Sequence, residues 1–124
     1  MKFTSVQRRG AWAAAVVVAA ATVNVIEMAP ASAAAGWGAI AYSGNGANGR
    51  AWDYPDPAAA KQTAINYCGY TDCEVLTYFT GCGAVAADSR RFQGGHGPTL
   101  AAAESSALRQ IGTAGAYIDS WVCN

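Results

Sequence analysis

Gly38-Ala39-Ile40-Ala41-Tyr42-Ser43 and its near copy Gly83-Ala84-Val85-Ala86-Ala87-Asp88-Ser89 decide how this chain is read. Each opens the same succession of motifs, so the second half reads as a repeat of the first. After the first copy, Gly44-Asn45-Gly46-Ala47-Asn48-Gly49 supplies Asn-Gly turn chemistry, and Arg50-Ala51-Trp52-Asp53-Tyr54 alternates with aromatics as an antiparallel return strand should. Asp56 followed by Pro57 is a helix start, an N-cap acceptor and a residue already set at helical φ, and Gly69 is the stop. The helix is therefore predicted over residues 57–68. Thr99 and Gly112 repeat the start and the stop, each 43 residues on, as Ala103 and Ala107 repeat Ala60 and Ala64. Small residues one turn apart let a helix lie close on a sheet.

A strand follows each helix, over 73–80 and 116–122. Strict alternation would turn Val75, Thr77 and Phe79, with Ile118, Ser120 and Val122, toward the helices. Glu74, Leu76 and Tyr78 would then share an open face with Tyr117, Asp119 and Trp121. Each half reads strand, strand, helix, strand, although the second hairpin around Arg91 to Gly95 carries little strand signal. About 45 residues are too few to bury a core alone. The expected fold is thus a two-layer α+β domain, one mostly antiparallel sheet with both helices on one face, built from repeats over about 37–81 and 82–124.

The loop over 44–49 also spells G-x-G-x-x-G, but a dinucleotide site needs a helix to follow it, and here a strand-like segment does. A hairpin loop is the simpler reading. With 52% hydrophobic and 13% charged residues and no net charge, the chain is globular and carries no basic stripe to hold nucleic acid.

Residues 1–33 read as a cleaved signal peptide: Lys2, Arg8 and Arg9, an Ala-rich apolar run, then the small-x-small site Ala31-Ser32-Ala33. Retention as an anchor is the rival, weakened by Asn24 and Glu27, which interrupt a run that must reach about 20 residues. Cleavage leaves one secreted domain, 34–124, with five basic against seven acidic residues and no stable membrane span. Export places it in the periplasm, cell envelope or exterior.

Cys68, Cys73, Cys82 and Cys123 then imply two disulfides. Cys73 and Cys82 stand at opposite ends of one predicted strand, about 30 Å apart at about 3.3 Å per residue, beyond the reach of a bond. The counterparts of Cys68 and Cys73 are Ile111 and Ala116, both lost together as a bonded pair would be. Cys68–Cys73 and Cys82–Cys123 follow.

His96 is the single histidine, so a hydrolase with a His base would use it, with Ser43, Ser89 or Ser105 as nucleophile. No motif places these groups together, and Gly95-His96-Gly97-Pro98 reads as the loop into the second helix. Metal-ligand spacing is absent, and no cofactor is implied. Aromatic residues carry the remaining signal. Trp37, Trp52, Tyr78, Tyr117 and Trp121 are the candidate binding residues of a non-enzymatic module that meets an extracellular or envelope protein or glycan, in the manner of an inhibitor. A small cell-wall or host-directed hydrolase using His96 is the alternative.

Gly36-Trp37-Gly38-Ala39-Ile40-Ala41-Tyr42-Ser43, Trp52-Asp53-Tyr54-Pro55 before an Ala-rich helix, the Cys68-Gly69 stop, Cys82-Gly83-Ala84, Gly97-Pro98-Thr99 and Ala101-Ala102-Ala103-Glu104 together resemble the small secreted bacterial family called domain of unknown function 4189. The resemblance spans the whole domain after the leader and implies no catalytic or ligand-binding residue. In that family the second half often keeps its own turn-flanking Cys pair, where this chain has Ile111 and Ala116.

Overall fold

The computed structural model describes residues 36–124, so the leader read over 1–33 lies outside the described residues. In chain order the elements are β1 (Trp37–Tyr42), β2 (Asn48–Tyr54), α1 (Pro57–Cys68), β3 (Glu74–Phe79), β4 (Cys82–Ala87), β5 (Phe92–Gly97), α2 (Leu100–Ile111) and β6 (Tyr117–Cys123). Local chemistry sets the helix ends. Asp56 accepts from Ala59 N at 2.8 Å and Thr99 from Ala102 N at 3.1 Å, capping α1 and α2. Gly69 and Gly112 end them at φ 83° and 69°, left-handed values that a Cβ disfavours.

The strands form two antiparallel three-stranded sheets, ordered β2-β1-β3 and β5-β4-β6. This corrects the single joined sheet. The sheets pack face to face, and each helix covers the outer face of its own sheet, so the layers run helix, sheet, sheet, helix rather than two helices over one face. Alternation in the central strands produces this. Ala39 and Ala41 meet Ala60, Ala64 and Cys68 of α1, while Ala84 and Ala86 meet Ala103, Ala107 and Ile111 of α2. The residues between them, Ile40, Tyr42 and Val85, point the other way and build the seam between the sheets with Phe79 and Val122. A central strand buried on both faces needs the second sheet to cover it. Phe79 is 3% exposed at that seam, and such a ring is worth about 3–5 kcal/mol against Ala.

The expected alternation of β3 and β6 fails for a definite reason. Ile40 pairs with Thr77 and Ala41 with Val75, so Leu76 is an inserted residue; Val85 pairs with Ser120 and Ala86 with Ile118, so Asp119 is another. Each bulge reverses the facing of the residues beyond it. Val75 and Ile118 therefore face the helices, as expected, whereas Thr77, Phe79, Ser120 and Val122 turn inward to the seam. Tyr78, opposite Ala39, turns to the α1 side, and Trp121, opposite Ala84, to the α2 side. The two aromatics lie on opposite outer faces, not on one shared face.

Residues 95–97 belong to β5 rather than to a loop. Glycine hides this strand from propensity. A Cβ at Gly94 would collide with the Leu76 carbonyl, and one at Gly95 with the α2 backbone at Ala107, so β5 is glycine-rich because both neighbours touch its backbone. The disulfides Cys68–Cys73 and Cys82–Cys123 are formed.

Candidate functional site

A groove of about 590 Å³ opens where the outer strands β3 and β5 of the two sheets lie together. The hydroxyl of Thr77 donates to the Gly95 carbonyl at 3.2 Å and ties the two edges. One wall carries Trp37, Tyr78 and Lys61 of α1; the other carries His96 with Ser106 and Gln110 of α2. Trp37 and Tyr78 stand with ring centroids 6.2 Å apart, tilted by 31°. Lys61 Nζ sits 3.7 Å from the Tyr78 centroid, a cation–π contact worth about 0.5–1 kcal/mol at an exposed site. Lys61 and His96 are the basic side chains of the lining, and no Asp or Glu is among its residues. The groove therefore presents a held cation beside two amphipathic rings.

Of the residues singled out in the sequence, the groove brings together Trp37 and Tyr78. Trp52, Tyr117 and Trp121 stand on β2 and β6, the strands farthest from it in their sheets. All three are exposed. Trp52 borders a smaller cavity of about 150 Å³ with Arg50, Tyr54 and Tyr67, and Arg50 Nη1 donates to the Trp121 carbonyl at 3.0 Å. Sequence reading passed over Lys61, Ser106 and Gln110. Lys61 left one trace, as the single charged residue of α1; the other two left none.

His96 is exposed and shares the groove with Ser106, but the serines read as candidate nucleophiles stand elsewhere. Ser43 is buried and donates to Asp72 Oδ1 at 2.7 Å; Ser89 lies in the β4–β5 loop; Ser105 is exposed on α2. Among the described residues, no group of three or more His, Cys, Asp or Glu is placed to hold a metal ion.

The remaining polar links hold the scaffold. Tyr42 spans the seam, donating to Asp119 Oδ2 at 2.6 Å and sharing a 2.7 Å hydrogen bond with Ser120 Oγ. Burial, then the Asp119 bond, push its phenol well above the ordinary range, so it stays a donor. The Ser43 hydroxyl, then the Gly44 N–H, lower the Asp72 carboxyl. Asp88 is lowered by the Arg90 N–H and then the Thr113 hydroxyl.

Comparison with known proteins gives the fold a context. The family described as "Domain of unknown function (DUF4189)" matches residues 37–123. "Protein Rv1269c" of Mycobacterium tuberculosis is 64% identical over 94 residues, 76% of this chain and 74% of that protein. "Uncharacterized protein Rv1813c" of the same organism is 46% identical over 88 residues, 71% of this chain and 60% of that protein. The NMR structure of Rv1813c aligns with a TM-score of 0.63 at 41% identity, covering 80% of this chain and 81% of that one.

Proposed function

Since the chain belongs to the DUF4189 family, whose description carries no activity, we propose that it is a secreted, non-enzymatic binding module that uses the β3/β5 groove to hold a partner. One observation carries this reading: two neighbouring aromatic rings and a cation held over one of them line a groove of about 590 Å³, on strands tied by a hydrogen bond. Tyr78 is 47% exposed, so its ring is available to a ligand. Export over residues 1–33 goes with this proposal. It is supported by two disulfides with no free cysteine, which suit an oxidising compartment; among the described residues no helix is long and apolar enough to cross a membrane. The shared order of elements in the two halves supports their reading as copies of one unit.

The rival hydrolase would pair His96 with Ser106, and the lining offers no carboxylate to orient the imidazole. Crosslinked capture from culture filtrate separates the two. Trp37→Ala with Tyr78→Ala should abolish capture of a partner that Trp121→Ala still captures. Equal capture by both variants would sink the groove, and turnover of an ester or peptidoglycan panel lost in His96→Ala would favour the hydrolase.

A further inference from the structure

Asn-Gly occurs twice in this chain, at Asn45-Gly46 and Asn48-Gly49, within one hairpin. This dipeptide carries a latent reaction. Glycine has no side chain to shield its nitrogen, so that nitrogen can attack the carboxamide carbon of the preceding Asn and close a succinimide ring. The peptide between the two residues must rotate for nitrogen to meet carbon, and the fold treats the two sites differently. Both Asn side chains are exposed, so access of water does not separate them. Gly46 lies in the loop between β1 and β2 at φ 95°, and a Cβ there would find its nearest neighbour, Phe92 Cζ, at 3.9 Å. Its N–H donates to the Ser43 carbonyl at 3.0 Å and comes free when that bond at an exposed loop tip opens, a small local event. Gly49 is buried, pairs with Ala41 inside the sheet, and would collide through a Cβ with the α1 backbone at Ala64 and Cys68. Turning its peptide requires α1 to part from β2.

We propose that Asn45-Gly46 is a site of spontaneous modification, where Asn45 becomes aspartate and isoaspartate while Asn48 persists for as long as the protein is folded. The Ala47 N–H, donating to Asn45 Oδ1 at 2.8 Å, draws electron density from the carbon that is attacked. Gly46 N bonds to Asn45 Cγ and gives up its proton, the Cγ–Nδ2 bond breaks, and ammonia leaves with that proton. Water is the one co-reactant. Its addition at Cγ breaks the new C–N bond and restores the main chain as aspartate; addition at the Asn45 backbone carbonyl carbon breaks the original peptide bond and leaves the chain running through the side chain as isoaspartate. Either product adds a negative charge beside Gly44, whose N–H holds Asp72 Oδ2 at 3.0 Å, and Asn45 N itself donates at 3.2 Å to the Ser43 hydroxyl that holds Asp72 Oδ1. Modification therefore sets like charge next to the Ser43–Asp72 link.

The test incubates the oxidised protein in heavy-oxygen water at neutral and mildly alkaline pH. Mass spectrometry after digestion in mild acid reads the two sites separately, with electron-transfer fragmentation to tell isoaspartate from aspartate, and uptake of heavy oxygen excludes conversion during digestion. Asn45 should convert about tenfold faster than Asn48, a difference of about 1.4 kcal/mol in barrier, with isoaspartate the larger product and a rate that rises with pH. In the reduced, denatured chain the two sites should convert at similar rates. Gly46→Ala should slow conversion of Asn45. Because Ala strains a turn residue at φ 95°, Asn45→Gln gives a second check: it keeps the glycine and an amide, and conversion at residue 45 should cease. Equal rates at the two sites in the folded protein, no conversion of Asn45 where the denatured chain converts, or aspartate without isoaspartate would overturn the proposal.

Discussion

The two helix-to-strand turns are held to the rest of their halves by the same link with its chemistry exchanged. In the first half the hydroxyl belongs to Ser43, just past β1, and the carboxylate to Asp72 in the α1–β3 turn, 2.7 Å apart. In the second the carboxylate belongs to Asp88, just past β4, and the hydroxyl to Thr113 in the α2–β6 turn, 2.8 Å apart. A disulfide, Cys68–Cys73, closes the first turn. At the corresponding point of the second, the Arg91 guanidinium donates to the carbonyl of Ile111, the residue standing where Cys68 stands, and pairs with Asp88 at 3.7 Å. A cation on the last carbonyls of a helix also suits its dipole. What is held in common is a position that needs fastening, and a covalent bond, a neutral donor or an ion can each fasten it.

The largest test of that difference removes the covalent ties. Replacing Cys82 and Cys123 together by Ser opens a loop of 41 residues and should lower stability by about 4 kcal/mol, while replacing Cys68 and Cys73, separated by 5, should cost about 2 kcal/mol. Denaturant midpoints of the two double variants measure both. If the short bond proves the more valuable, its turn lacks adequate support from Ser43 and Asp72, and the two turns are less alike than their geometry.

The contrast between the turns also marks how far residues could be read from sequence alone. Helix bounds and disulfides were legible because caps, stops and cysteines are local signals: Asp56-Pro57, Gly69, Thr99 and Gly112 act within a turn. Layering was not. The insertions at Leu76 and Asp119 leave no mark in composition, yet each reverses which side chains face inward, and so the expected Tyr78–Trp121 face came apart. β5 was hidden because its glycines answer to the backbones of Leu76 and Ala107, which are distant in sequence. Where this chain has Ile111 and Ala116 in place of a turn-flanking Cys pair, Arg91 and Asp88 fasten the second turn through partners distant in sequence. Of the candidate groove, Trp37 and Tyr78 were visible as aromatics, but their meeting with Lys61 and His96 depends on how the sheets stack.

An exchange of residues sharpens the comparison with a smaller effect. If position governs the link, Ser43→Asp with Asp72→Ser reproduces in the first half the arrangement of the second. Each single variant should lower the melting temperature, Ser43→Asp the more because it puts a carboxylate at a site 2% exposed. The double variant should recover part of that loss. Additive losses in the cycle would show that the surroundings fix which end carries the charge.

Acid gives the smallest effect and the one most specific to the second turn. Both carboxyls sit below their ordinary range when folded, so on acidification the unfolded chain takes up protons first. Their stabilisation is complete above the unfolded value of about 4 and is lost as pH falls through the lower folded value. Protonation of Asp72 leaves the first turn its disulfide, which does not titrate. Protonation of Asp88 removes the ion pair with Arg91 and weakens the bonds from Arg90 N, Arg91 N and Thr113, with no covalent bond across that turn. Hydrogen exchange followed from pH 6 to about 3 should therefore show protection at Gly112 and Ala116, whose N–H groups bond to Leu108 and Thr113 carbonyls, falling before protection at Gly69 and Cys73. Simultaneous loss at both turns would mean that acid loosens the seam they share, and that the exchanged chemistry makes no difference to how each half holds.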